Sequence, residues 1–542
     1  MSQPAAPARA ALPRSVLRAM NPAALRRRAS GAPLVLSLMA AAVAVVVCCP
    51  LVFVVMQAGQ SGWDSVRRLL GRPLVTTLLW HTLELTVTVT AATLLIGFCA
   101  AFLTQRTDIP GRRVFTVLLA MPLAVPEFVH GYCWVSLFPS VQGFWGAVLV
   151  MTTSLYPLVF LPVAATLRRS DAATEEVARS LGHSRWRVLW RVTLPQTRPA
   201  LAGGALLVSL YLLGEYGAFA MVRYTTFATA IYTQFETSFD TVSASVLALV
   251  LIVLAVLVTG AEAGAGRRRG RGVRVVREGA AARPADPLAL GRGRIPALLG
   301  LAAVVGTTLG VPVYALGYWL AKGNSSTLPS ASIWTATATT AGYALVTAAV
   351  ATAAAVPVAL LAWRHPGHAS EGIVRLAYLT RALPGIAVAL AVVFFAIRYA
   401  QPWYQQPPML VAGYVVLFFP LALTAVRASL AHVPHGVEDV ARSLGRRRLA
   451  VLGRVTLPLI APGLAASFAM VALTASTELT ATLLLHPTGT ETLATRFWSY
   501  TTGLAYGAAA PYAAMMTVLS VPAVVLLTRR TLGPARSLKE EA

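Results

Sequence analysis

Two glutamates lie where ionisable side chains are rarely found. Glu215 and Glu478 each sit inside a long apolar stretch of the sequence. A charged side chain at the centre of a bilayer costs about 2.5–3.5 kcal/mol on insertion scales, so such a residue normally faces a protein interior or a water-filled cavity. Two facing carboxylates would attract a cation and repel phosphate or sulfate. Two interpretations stay open: the pair lines a cation pathway, or it hydrogen-bonds neighbouring helices and holds a gate.

A second group of candidate residues occurs in a segment that the sequence contains twice. Residues 175–195 read EEVARSLGHSRWRVLWRVTLP and residues 438–458 read EDVARSLGRRRLAVLGRVTLP, with 15 of the 21 positions identical. The offset of 263 between the copies also relates Glu215 to Glu478. Internal duplication of this kind indicates two similar structural halves.

A pair of prolines belongs to the same duplication. Pro126 corresponds to Pro384 at an offset of 258. Proline kinks a helix, so the pair either shapes a cavity or forms a shared packing bend. Glu127 follows Pro126 directly, but its counterpart is Gly385. We therefore expect packing or local hydrogen bonding for Glu127 rather than a symmetric role.

No catalytic or nucleotide-binding pattern accompanies these residues. A P-loop needs a lysine directly after glycine, and neither Lys322 nor Lys539 follows one. The four cysteines lack zinc-ligand spacing, and the sequence contains neither HExxH nor GxSxG. The sequence predicts a chain that is not an enzyme and that binds no metal or cofactor of its own.

The elements that position these residues are predicted to be membrane-spanning helices. The chain of 542 residues is 57% hydrophobic and only 12% charged, against roughly 25% charged residues in soluble domains. Apolar runs suited to spanning helices occur at about 33–58, 79–104, 114–137, 144–166, 200–222, 242–264, 296–319, 335–362, 379–399, 408–426, 463–485 and 511–528. The predicted fold class is an all-α, polytopic membrane protein with about 12 transmembrane helices in two parallel six-helix repeats.

The basic residues predict the orientation and exclude one class of function. The chain carries 45 Lys and Arg residues, and they lie between the apolar runs rather than on one polar domain, so we expect no nucleic-acid binding. With the N-terminus in the cytoplasm, most of them lie on that side. The predicted organisation, with both termini cytoplasmic, is a basic tail, a first repeat, an Arg-rich linker, a second repeat and a C-terminal tail, at 1–32, 33–264, 265–294, 295–530 and 531–542.

The duplicated segment is similar to a known family motif. In the first copy Glu176, Val177 and Ala178 are followed by Gly182, and Val192–Pro195 reads VTLP. This spacing resembles the EAA loop of ABC-importer permeases, E-A-A-x3-G-x9-I-x-L-P, and the second copy matches in the same way. The segment departs from the motif in two ways. Both copies have Val in place of the central Ala, and the second copy has Asp439 in place of the Glu.

The resemblance implies a fold and partners. It implies an ABC type I importer-like transmembrane domain in a bacterial cytoplasmic membrane, two ATPase subunits that use ATP and Mg on the cytoplasmic side, and an extracytoplasmic solute-binding protein. The residues predicted to couple to the ATPases are Glu175, Glu176, Ala178, Gly182, Glu438, Asp439, Ala441 and Gly445. We expect a short polar helix in each loop, with glycine where the helix stops, suited to docking into a groove.

The cargo is less well defined by the sequence. Two permease halves in one chain resemble the ferric-iron, thiamine and phosphonate permeases. Ser476–Trp498 and Leu212–Phe219 resemble the ferric-iron group in particular. We expect ferric iron as the cargo; the alternatives are thiamine, phosphonate or polyamine uptake, or an ion-coupled secondary transporter that works without an ATPase.

Overall fold

A computed structural model describes residues 34–60, 62–169, 172–269, 287–322, 331–380, 383–434 and 436–532. The predicted tail at residues 1–32 lies outside these ranges, as do residues 270–286 of the predicted linker and residues 533–542. Nearly all of the described chain is helical. This agrees with the apolar composition, because a spanning helix satisfies every backbone hydrogen bond internally.

The first half of the chain consists of helices and short helical turns. Their bounds are Leu34–Gln60, Trp63–Leu70, Pro73–Arg106, Arg112–Ala120, Met121–Ala124, Glu127–Leu137, Gly143–Leu155, Pro157–Arg169, Ala172–Ser180, Arg185–Val188, Leu189–Thr193, Leu194–Gly214, Gly217–Met221, Phe227–Tyr232, Thr233–Thr237 and Thr241–Arg269. Of these, Leu189–Thr193 is a π-helical turn.

The second half repeats this order. Its helices and turns are Gly291–Gly293, Arg294–Val305, Gly306–Gly310, Val311–Lys322, Ala331–Arg364, His368–Leu379, Gly385–Tyr399, Gln401–Trp403, Pro407–Ala431, Gly436–Ser443, Arg448–Val451, Leu452–Thr456, Leu457–Ser476, Thr480–Leu485, Leu493–Thr502 and Tyr506–Leu532. Leu452–Thr456 is a π-helical turn at the position equivalent to that in the first half.

The protein is an all-helical polytopic membrane protein. Within the described ranges, nine helices are long and apolar enough to cross a bilayer, and the pair Arg112–Ala124 and Glu127–Leu137, bent by 93°, gives a tenth candidate. Two further predicted runs coincide with the shorter apolar helices Leu34–Pro50 and Gly385–Tyr399. The described residues therefore contain nine or ten candidate spans, compared with the twelve predicted from the sequence.

Two predicted spans are broken near the middle of the fold. The runs predicted at 200–222 and 463–485 are not continuous helices, because the long helices end at Gly214 and Ser476. Short helices, Gly217–Met221 and Thr480–Leu485, follow each break. An apolar run does not reveal such a break, since hydropathy is the same on both sides.

The first helix of each half packs against the other half. Ala40 and Val47 of Leu34–Gln60 lie in a core with the second-half residues Ala348 and Ala351. In return, Leu301 lies in the first-half core. The two sequence repeats, 33–264 and 295–530, are therefore not separate packing units.

Apolar, aromatic and polar groups make further contacts between the halves. Leu213 of the first half packs in one cluster with Ile386 and Leu390 of the second. The ring centroids of Phe128 and Phe497 are 5.4 Å apart. Tyr132 Oη donates to the carbonyl of Tyr506 at 2.7 Å.

Candidate functional sites at the loop helices and between the halves

The duplicated segment forms a short helix in each half, here called the first loop helix (Ala172–Ser180) and the second loop helix (Gly436–Ser443). Gly182 and Gly445 have φ of 82° and 79°, a left-handed conformation that glycine adopts without a Cβ clash. His183 N donates to Ala178 O at 3.2 Å, which closes the first helix end. The expected glycine stop is present in both copies.

A buried ion pair holds the first loop helix to the end of a long helix. Arg106, the last residue of Pro73–Arg106, donates from Nη2 to Glu175 Oε1. Thr193 Oγ1, presented by the π-helical turn, donates to the same oxygen at 2.8 Å. The side chains of Arg106 and Glu175 are only 5% and 9% exposed. A buried charge pair of this kind needs such additional hydrogen bonds.

The second half repeats this network with the equivalent residues. Arg364 Nη2 donates to Glu438 Oε1 at 2.6 Å, and Thr456 Oγ1 donates to the same oxygen. The side chains of Arg364 and Glu438 are 22% and 13% exposed, so this network is more open to solvent.

These networks show how two of the predicted coupling residues are held. Glu175 and Glu438 were predicted to couple to the ATPases, and their carboxylates form ion pairs inside the chain. Ala178 is buried and Ala441 is half-buried, because a small side chain lets the loop helix lie close to the rest of the chain. Of the predicted acidic residues, only Glu176 and Asp439 are exposed.

The exposed surface of each loop helix mixes apolar and polar side chains. Leu181 and Leu444 are 73% and 77% exposed, and Val177 and Val440 are also exposed. In each copy the valine and the leucine are four residues apart and form a short exposed apolar strip among polar neighbours. The sequence interpretation treated the valines only as departures from a motif and missed the leucines. The available signal was the i, i+4 spacing of apolar residues opposite the buried Glu175.

Glu215 and Glu478 lie at the two helix breaks. Ala218 N donates to Glu215 Oε1 at 2.7 Å, and Ala481 N donates to Glu478 Oε1 at 3.1 Å. Each carboxylate therefore caps the short helix that follows it, where the amide dipoles favour negative charge. These hydrogen bonds are local, and both sequence interpretations, a cation pathway and a gate, stay predictions.

The two breaks approach each other across the interface. A Cβ built on Gly217 would lie 3.4 Å from Glu215 Oε1 and 2.7 Å from Leu479 Cδ2, beside Glu478. Gly385 lies beside Glu478 within the second half, where a Cβ would be 3.5 Å from Glu478 Oε1. Glycine at position 217 therefore allows the two breaks to come close across the interface.

A third carboxylate, Glu127, joins this group. It is the first residue of Glu127–Leu137, and it interacts electrostatically with both Glu215 and Glu478. The expectation of packing or local hydrogen bonding for Glu127 stays a prediction. The counterpart of Glu127 in the other half is glycine, so a comparison of the halves did not indicate that Glu127 lies near the paired glutamates.

The paired prolines begin helices rather than bend them from within. Pro126 directly precedes Glu127–Leu137 with ψ of 148°, and Pro384 precedes Gly385–Tyr399 with ψ of 141°. Both are buried. The extended backbone at Pro126 lies at the 93° bend. In the part of the chain that the structure describes, no group of three or more His, Cys, Asp or Glu side chains could hold a metal ion.

Comparison with known proteins gives a consistent result. The family model for "Binding-protein-dependent transport system inner membrane component" matches residues 92–269 and 355–529. Each match contains one loop helix and one helix break. The two matched segments together cover more than half of the chain.

Individual relatives differ in how much they cover. The Fe(3+)-transport system permease protein FbpB 2 of Haemophilus influenzae is 36% identical over 502 residues, 92% of this chain and 98% of that protein. The sulfate transport system permease protein CysT of Escherichia coli is 32% identical over 31% of this chain and 66% of its own length. The molybdenum transport system permease protein ModB of Escherichia coli is 32% identical over 26% of this chain and 69% of its own length.

Proposed function

The chain belongs to the family of binding-protein-dependent transport system inner membrane components, and from this premise we propose that it is a permease of an ABC importer for ferric iron, with both halves fused in one chain. It is a multi-pass inner-membrane transport subunit and not an enzyme. Members of this family work with an ATPase and a binding protein. Here we propose two ATPase subunits on the cytoplasmic side, which use ATP and Mg, and one solute-binding protein on the opposite side.

The proposed topology is twelve spans in two parallel six-helix halves, at 33–264 and 295–530, with both termini in the cytoplasm. Nine candidate spans, one bent pair and two shorter apolar helices support this count. The crossing of each first helix onto the other half supports a type I importer-like arrangement, in which two permease halves clasp each other.

The observation that carries the proposal is the repeated loop helix with its exposed leucine. Leu181 and Leu444 lie at equivalent positions, and both are largely exposed in the described chain. Glu176 and Asp439 lie beside them and supply charge. A groove of matching apolar character on each ATPase would bury the leucine and pair with the acid.

Movement of the loop helices would be transmitted through the ion pairs. Each pair joins a loop helix to the cytoplasmic end of a 34-residue helix, Pro73–Arg106 or Ala331–Arg364. When the ATPases close on ATP, these long helices would move with the loop helices. Alternating access then requires that the partners bind the two states of the permease differently.

The carboxylates between the halves would form part of the path for the cargo. Glu127, Glu215 and Glu478 concentrate negative charge beside the glycine-lined approach of the halves. Negative charge attracts a cation and repels oxyanions such as sulfate, molybdate or phosphonate. Carboxylate oxygens are hard ligands suited to Fe(III). The near full-length similarity to a permease named for Fe(3+) transport supports the same cargo.

Thiamine and polyamine uptake are the remaining alternatives that fit the negative charge. A secondary transporter would also fit twelve spans in two halves. A secondary transporter has no ATPase to bind, so this alternative does not explain the two exposed loop helices.

The test is uptake into proteoliposomes that contain the chain, its co-purified ATPase and its solute-binding protein. We expect uptake of radioactive ferric iron that requires internal ATP, and no uptake of sulfate. Glu215→Gln and Glu478→Gln should reduce iron uptake at least several-fold, while Glu371→Gln, at an exposed glutamate of the helix His368–Leu379, should not. Uptake of thiamine or a polyamine in place of iron would contradict the cargo, and uptake without ATP would contradict the ABC mechanism.

A further inference from the structure

Residues 287–290 of the predicted linker, here called the joining segment, lie against the first ion-pair network. Leu288 and Thr107 form a short parallel bridge. Leu288 N donates to Arg106 O at 2.8 Å, and Asp108 N donates to Leu288 O at 3.2 Å. Leu290 N donates to Asp108 Oδ1 at 3.0 Å. Three hydrogen bonds thus fix this short stretch to the residues that follow the helix Pro73–Arg106.

Arg106 connects the bridge to the first loop helix. Its carbonyl accepts from Leu288 while its guanidinium donates to Glu175. Leu290 also packs against the first-half core, which contains the buried Ile109. Displacement of the joining segment would therefore disturb the residue that anchors the loop helix.

The second half is built differently at the equivalent place. Three residues separate Arg106 from the next proline, whereas His365 alone separates Arg364 from the next proline. The shorter loop is closed locally, because Ser370 Oγ donates to His365 O at 2.7 Å. The longer loop of the first half supplies Thr107 and Asp108, the residues that pair with the joining segment.

We propose that Leu288–Leu290 is a positioning element of the first coupling site, holding Arg106 and through it the first loop helix. Within the described residues, the second loop helix has no such support from the joining segment. The inference rests on the proposed function, since the loop helices matter as the places where the ATPases dock. The covalent connection between the halves would then make the two docking helices unequal in rigidity.

The experiment is hydrogen–deuterium exchange on the full chain in lipid nanodiscs, without ATPase. Asp108→Ala removes the acceptor for Leu290 N, and Leu288→Pro removes the donor to Arg106 O. Each should speed exchange across residues 172–182 about fivefold, the equivalent of one net hydrogen bond, and leave residues 436–445 unchanged. Thermal unfolding of the whole chain should stay unchanged.

Matched variants separate positioning from general damage. Asp108→Asn keeps a side-chain oxygen and Leu288→Ala keeps the backbone N–H, so both should retain wild-type exchange. Ser370→Ala removes a comparable hydrogen bond in the second half and should leave residues 172–182 unchanged. Unchanged exchange in Asp108→Ala and Leu288→Pro, or an equal rise in both loop helices, would overturn the proposal. Because no ATPase is present, this result is independent of whether an ATPase binds.

Discussion

The two loop helices use the same residues but in different surroundings. In the first, Arg106 and Glu175 are enclosed, and Arg106 also accepts a hydrogen bond from the joining segment. In the second, Arg364 and Glu438 form the same pair closer to solvent. Both leucines, Leu181 and Leu444, project from the surface to a similar degree.

This comparison separates what both docking sites need from what only one of them has. The arginine, the first acid, the threonine on a π-helical turn and the exposed leucine occur twice, which is expected of parts that perform one task in both halves. Among the described residues, only the first half has a buried ion pair and a contact with the joining segment. Between the halves the same holds for the carboxylates, since Glu215 and Glu478 are paired whereas Glu127 stands alone.

The largest effects are expected from variants that break the two ion pairs one at a time. Arg106→Ala leaves a buried carboxylate without its partner and should lower the local stability of the first loop helix by about 3–5 kcal/mol. Arg364→Ala should cost about 1–3 kcal/mol, because water reaches the carboxylate that is left behind. Native-state hydrogen exchange measures both. The exposed pair Arg375–Glu371 is the control, and Glu371→Ala should change little. Equal losses at both loop helices would remove the difference on which the comparison rests.

The next effect concerns the feature that the two helices share. Leu181→Ser and Leu444→Ser should each weaken ATPase binding by about tenfold or more, because a buried leucine contributes roughly 1.5–3 kcal/mol. Neither should change folding, since both side chains are exposed in the free chain. Titration of the ATPase onto nanodisc-embedded chain measures this. Leu504→Ser, an exposed leucine away from the loop helices, should bind normally, and a weakening as large as that of the loop variants would mean that the effect is not local.

The smallest expected effects on ATPase binding come from neutralising the two exposed acidic residues. Asp439 already has Arg442 Nη1 at 3.5 Å, whereas Glu176 forms no ion pair among the described residues. Glu176→Gln should weaken ATPase binding about two- to fivefold and Asp439→Asn less, in the range of exposed ion pairs. Both differences should vanish in roughly 1 M salt, where the Debye length is about 3 Å. A loss that persists in high salt would point to shape rather than charge.

Much of the architecture could be predicted from the sequence because it depends on local pattern. Long apolar runs indicated the helices, and the duplicated segment with Gly182 and Gly445 indicated two loops with the same end. These signals act over one helix or one turn. The family resemblance rested on the same residues and is supported by the matches to each half.

The parts that could not be predicted depend on contacts between distant segments. Hydropathy does not show that the helices stop at Gly214 and Ser476, because the residues after each break are apolar too. The inward orientation of Glu175 depends on Arg106, which lies 69 positions earlier in the chain. The interaction of Glu127 with Glu215 and Glu478 could not be predicted from the repeat, because its counterpart is glycine. The sequence of either repeat likewise does not indicate that its first helix packs against the opposite half.

The central claim is that two loop helices, each with an exposed leucine at its end, join this permease to ATPase subunits. The most direct measurement is capture of the tagged chain from native membranes in a mild detergent, for the wild type and for the double variant Leu181→Ser with Leu444→Ser. The account predicts that a P-loop ATPase is recovered with the wild type and lost from the double variant, while the amount of permease in the membrane is the same. Recovery of no ATPase with the wild type, or equal recovery with the double variant, would contradict it.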